Sequence, residues 1–267
     1  MVHSSRTAIP SRLRCTAIAI ALAFVGAAAS ADPLPQFTFD PSAVGLAGSA
    51  FTADNLLISN YSTVMLNADN TFTETGYLAI SSAQLGGSTW VPTGLNSNYG
   101  MYIAFTGAGT TSGGDPGNVP TFGSLSSLTF TLYGYNGTAS FDFAGTTPTE
   151  SATGEMALAT GTLLNGTVVT IPTGVNSTFS PSASVMVSVS PQMAAFFVSP
   201  TTFYEQGMTA FTNTSSQVET FAGGFLIRQG GGSINFATAV PEPSSDVMLL
   251  AGLSAIGFLV RRRSSSR

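Results

Sequence analysis

The stretch SLTFTLYGY, residues 127–135, alternates Leu128, Phe130 and Leu132 with Thr129, Thr131 and Tyr133. A period of two puts apolar side chains on one face and hydroxyls on the other, the pattern of a half-buried strand. Its β-branched and aromatic residues suit a pleated surface better than a helix.

Working outward, segments of the same kind run over 51–59, 61–66, 71–80, 99–106, 139–143, 163–171, 184–189, 194–198 and 224–227. Turn residues separate them. Asn67-Ala68-Asp69-Asn70 and Asn165-Gly166 read as hairpin turns, and the Gly- and Pro-rich stretch 107–123 reads as a long loop. No fixed-period repeat is evident, and composition does not change across that loop. The expectation is an all-β protein: a single antiparallel β-sandwich-like domain over 32–239.

Both ends of the 267-residue chain differ from this middle. At the N-terminus, Arg6, Arg12 and Arg14 precede the apolar run TAIAIALAFVG and a small-residue stretch, the order of a secretory signal peptide over 1–31. Ala29 and Ala31 have the small side chains a signal peptidase accommodates, which places the cut before Asp32. Cys15 precedes the apolar run and is therefore no lipidation site.

Without these ends the body has 11 acids against a single base, Arg228, a net charge of −10, and no His, Cys or Lys. Cys and Lys nucleophiles, a His-assisted serine and His or Cys metal clusters are thereby excluded. Nucleic acid is excluded as a partner too, since phosphate neutralisation requires a basic surface. No cofactor is expected.

The C-terminus, 240–267, reads VPEPSSDVMLLAGLSAIGFLVRRRSSSR. Residues 247–260 form an apolar run shorter than the ~20 residues of a stable spanning helix. Arg261, Arg262 and Arg263 would hold its far end on the cytoplasmic side. Pro241 and Pro243 keep the backbone around Glu242 extended and open to a processing enzyme.

These three parts, in this order, resemble the sorting tail of the PEP-CTERM family of exported bacterial proteins. The resemblance implies transient inner-membrane insertion through 247–260, a short C-terminal hydrophobic helix, and capture by an exosortase, a membrane-embedded cysteine protease that releases the body to the cell surface or extracellular matrix. More narrowly, the body is similar to the flocculation-associated branch of that family. Phe196-Phe197-Val198 with Pro200, Phe203-Tyr204, Gly224-Phe225-Leu226-Ile227, Gly230-Gly231-Gly232, Asn235-Phe236 and Tyr99-Gly100-Met101-Tyr102 carry that likeness. It implies a role in cell aggregation through exopolysaccharide, in flocs or biofilm.

Smaller features have competing readings. Trp90, in GGSTWVPTG, serves either as a core residue at a strand end or as a platform for a sugar ring. Glu150 and Glu155 are the nearest pair of glutamates, so a carboxylate-dependent glycosidase is the one enzymatic class left; in TTPTESATGEM they read as a polar loop. Asp69, Asn70, Glu74 and Asp115 offer oxygen to calcium but lack EF-hand or RTX spacing, and read as solvated turn residues. Asn-x-Ser/Thr triplets at Asn60, Asn136, Asn165, Asn176 and Asn213 fit chance and turn chemistry in so Ser/Thr-rich a chain. The expected function is that of a non-enzymatic matrix or surface protein, with a carbohydrate-binding module as the alternative.

Overall fold

The computed structural model describes residues 34–237. The signal-peptide cut at Ala29 and Ala31, the sorting residues Pro241 to Pro243, the run 247–260 and Arg261 to Arg263 lie outside the described residues. Among the described residues, no helix is long and apolar enough to cross a membrane.

Eight long strands dominate: β1 (Asn55–Leu66), β2 (Thr71–Leu85), β3 (Tyr99–Thr111), β4 (Thr121–Asn136), β5 (Met156–Pro172), β6 (Phe179–Ser188), β7 (Gln206–Thr212) and β8 (Gly224–Ala237). Each pairs antiparallel with the next in sequence, and β8 returns to pair with β1. The ladder therefore closes into an up-and-down barrel. The antiparallel all-β domain expected from sequence is present, and its sandwich-like core comes from one sheet curled until its edges meet. Closure removes the unpaired edges an open sheet would leave.

Alternation sorts the side chains. In β1, Leu56, Ile58, Asn60, Ser62 and Val64 face inward and are buried, while the opposite parity carries Ser59, Tyr61 and Thr63. The opening stretch follows the same rule: Leu128, Phe130 and Leu132 of β4 join the apolar interior, and Thr129 is exposed.

One end of the barrel is plugged. A small sheet of Phe37–Phe39, Phe51–Ala53 and Phe197–Ser199 lies there. The Phe39 ring lies within 6.0 Å, centroid to centroid, of the rings of Phe37, Phe51, Phe196, Phe197, Phe203 and Phe236. Phe236 is the penultimate residue of β8, so the described chain both begins and ends at this plugged end. The opposite end carries the turn at Asn67–Asn70 and the connections β3–β4, β5–β6 and β7–β8.

Several expectations are refined. The turn at Asn67 to Asn70 is present, with Asn67 N–H donating to Thr71 O and Asn70 at a positive φ of 64°. The loop expected over 107–123 shrinks to 112–120, because β3 runs on to Thr111 and β4 starts at Thr121. Asn165-Gly166 is no hairpin turn: it lies inside β5, at a register irregularity opposite β6. Gly166 packs so closely on Leu125 that a Cβ would come within 2.6 Å of its side chain, and the strand continues through it, paired with β6 here and with β4 at Thr162 and Thr167. Residues 194–198 begin as a 3-10 turn rather than a strand. The strand β7, QGMTAFT, carries too weak an alternation to be read from sequence, yet pairing on both sides holds it in the barrel.

Candidate functional site

The outer wall is coated with hydroxyls. Thr63, Thr75, Thr106, Thr129 and Thr162 stand directly opposite one another across β1 to β5. The belt continues to β6, where Thr162 Oγ1 and Ser188 Oγ lie 3.0 Å apart. Neighbouring strands set such side chains ~5 Å apart. Thr75, Thr106, Thr129 and Thr162 are exposed. A membrane-spanning barrel carries an apolar band outward; here most apolar residues face inward, and the outward rows carry mainly Ser, Thr and Tyr, with Met65, Phe122, Leu164 and Ile171 as exposed apolar side chains among them.

Beside the belt runs an aromatic strip. Tyr102 and Tyr133 stack with centroids 5.2 Å apart, and Tyr77 meets Tyr102 edge-on at 5.8 Å. A hairpin of Phe141–Ala144 and Thr147–Glu150 lies over this strip. Phe141 stacks on Tyr61 at 5.7 Å, and Thr63 Oγ1 donates to Thr146 O, which explains why Thr63 alone in the belt is buried. Arg228 pins the hairpin from the other side: its guanidinium lies 4.7 Å from the Phe143 ring centroid, 3.7 Å from Asp142 Oδ1 and 2.6 Å from Glu219 Oε2.

The two glutamates are brought to the same strip. Burial, then the charges of Glu150 and Glu155, push the Tyr102 hydroxyl well above the ordinary tyrosine range. TTPTESATGEM is thus part strand, since Thr147–Glu150 belongs to the hairpin. Trp90 sits on the short strand Thr89–Val91, which pairs with the end of β2, and is 66 % exposed. It takes no part in the core.

The calcium-like residues do not converge. Asp69 accepts from the Thr71 hydroxyl and amide, which holds its carboxyl below the usual range. Asp115 accepts from Gly117 N and Asn118 Nδ2 within its own loop. Among the described residues no three His, Cys, Asp or Glu side chains gather as a metal site would require. Two of the Asn-x-Ser/Thr positions, Asn60 and Asn213, are buried inside the wall.

Glu74 corrects the sequence reading outright. Instead of a solvated turn acid it points into the barrel, where Ser62 Oγ donates to its Oε1 at 2.7 Å. Burial pushes its carboxyl above the ordinary value, and hydrogen bonds from Ser62 and Asn60 offset this only in part. Glu74 keeps some accessible surface because it lines an internal cavity of about 190 Å³. Sequence reasoning missed this site. The available signal was parity: Glu74 stands two residues from Phe72 and four from Leu78, on their face of the strand.

The described body is thus a hydroxyl-coated, acidic β-barrel with an apolar interior. The family described as the PEP-CTERM protein-sorting motif matches residues 239–263. The chain carries this motif, which marks it as an exosortase-targeted protein of the cell surface or extracellular space. No characterised protein and no solved structure matches it.

Proposed function

We propose that the released body is a non-catalytic matrix or surface component that associates with exopolysaccharide and promotes cell aggregation, in flocs or biofilm. The belt supports this reading, because the exposed, ordered row of hydroxyls from Thr75 to Thr162 matches the hydrogen-bonding groups of a sugar chain. The residues behind the flocculation-branch likeness, Phe196, Phe197, Phe203, Phe236 and Tyr99, are packing positions of the plug and wall. That likeness therefore bears on the scaffold, and the belt on the activity.

At a net charge of −10 the body is repelled by acidic polysaccharide unless divalent cations bridge the two. Residues 247–260 act as a temporary membrane handle in this scheme, discarded when exosortase cuts. Deleting the gene should disperse aggregates while polysaccharide yield stays constant, and chelator should release the protein from the matrix. Flocs that persist without the gene would remove the proposal.

Direct sugar recognition by a carbohydrate-binding module is a second reading, favoured by the exposed Trp90 indole. A glycosidase would need Glu150 and Glu155 to flank a bound sugar in a cleft; Glu150 ends the hairpin, Glu155 is exposed just beyond it, and both charges act on Tyr102.

A further inference from the structure

The barrel interior is not filled. Leu56, Leu78, Ile103, Phe105, Leu132 and Ile234 wall a cavity of about 190 Å³ between the phenylalanine plug and a second apolar cluster formed by Val64, Phe72, Phe179, Phe225 and Ile227. Its lining extends to Asn67, Asn70, Gly113 and Pro116 at the end away from the plug, so the space reaches the open rim. An apolar cavity of about 150 Å³ holds benzene. This one has room for a ring bearing one or two small substituents.

Its polar groups are few and incomplete. Asn60 is only 3 % exposed, yet its Oδ1 has no hydrogen-bond partner, and the Oγ1 of Thr209 is likewise buried without one. Both residues line the cavity, together with Glu74. A buried acceptor left unpaired costs about 1–3 kcal/mol. One or two waters near these groups would satisfy them but would not fill a space walled mainly by Leu, Ile and Phe, since an ordered water needs two to four polar partners. Asn60 also hydrogen-bonds Glu74, so a ligand hydroxyl placed beside this pair can donate to Asn60 Oδ1, while a hydrocarbon body meets the apolar walls; Thr209, level with Leu56 two strands away, lies apart from them.

We propose that the barrel is a binding protein for a small hydroxylated hydrocarbon of the size of an alkylphenol, held with its hydroxyl at Asn60 and Glu74 and its body among the apolar walls. This binding is independent of the polysaccharide association proposed above, which uses the outer face of the same strands.

The test is calorimetric titration of the mature protein, purified from culture, with p-cresol and with toluene. One p-cresol should bind per chain. Gly107 stands opposite Glu74, and a Cβ there meets its nearest neighbour, Ser127 O, at 3.4 Å, so Gly107→Leu sends its side chain into the cavity. That variant should keep a cooperative thermal transition and bind p-cresol at least tenfold more weakly. Asn60→Leu, which keeps the side-chain size, should weaken p-cresol several-fold and leave toluene unchanged. No p-cresol binding by folded protein, or undiminished binding by folded Gly107→Leu, overturns the site. Equal losses for both probes in Asn60→Leu overturn the assignment of the hydroxyl's position.

Discussion

Ser62 Oγ donates to Glu74 Oε1 at 2.7 Å across the first two strands, inside the barrel. Gly76 faces Ser62 directly, and any Cβ at position 76 would overlap the Tyr61 carbonyl and Ser62 itself. A carboxyl is thus built into the interior with its only close support on one side.

Burial raises the Glu74 pKa in the folded protein above its unfolded value of 4.5. The folded state therefore holds this proton more tightly than the unfolded chain. The group's contribution to stability is fully present below the unfolded pKa and is lost as pH rises through the folded one. Thermal unfolding of wild type and Glu74→Gln between about pH 4 and pH 8 should show the wild type falling steadily behind the variant as pH rises. A gap independent of pH would place the carboxylate in solvent.

Phe39 touches six other rings at the plug. Phe39→Ala should cost about 3–5 kcal/mol, seen as a lower urea midpoint at unchanged m-value. A loss under about 1 kcal/mol would show that the plug repacks freely.

The Arg228 ion pairs are largely exposed, at 41 % for Arg228, 80 % for Asp142 and 60 % for Glu219. Arg228→Ala should therefore lower global stability by at most about 1 kcal/mol, and less at high salt. Limited proteolysis should nonetheless find the hairpin at 141–150 cleaved faster, since the pin between Asp142, Phe143 and Glu219 is gone. Unchanged cleavage would assign the hairpin's hold to Phe141 and Thr146 alone.

Trp90→Ala should leave the melting temperature almost unchanged, because the indole is mostly in solvent. Retention on the native polysaccharide should fall if the indole stacks on sugar. Binding that survives the substitution removes Trp90 from the interface.

Strand character was legible wherever alternation was strong, as at Leu128, Phe130 and Leu132, because period-two burial is a local property. Closure was not: it depends on β8 reaching β1, a pairing such as Ile234 with Leu56 that no local pattern encodes. Asn165-Gly166 misled because turn chemistry was overridden by pairing with β6 at both residues and with β4 at Thr162 and Thr167 on either side. Glu74 misled because its neighbour Asp69 does occupy a turn, and only its parity with Phe72 and Leu78 placed it inside. The sorting motif was legible in the sequence, since its parts are consecutive, and the family model matches it over residues 239–263.

The plug has a mechanical consequence. Any force or enzyme acting on the tail reaches the body through Ala237, beside Phe236 and the phenylalanine cluster, at the end remote from the open rim. A cut anywhere beyond Ala237 therefore falls on the plugged side of the barrel, away from the rim, the hollow and the hydroxyl belt.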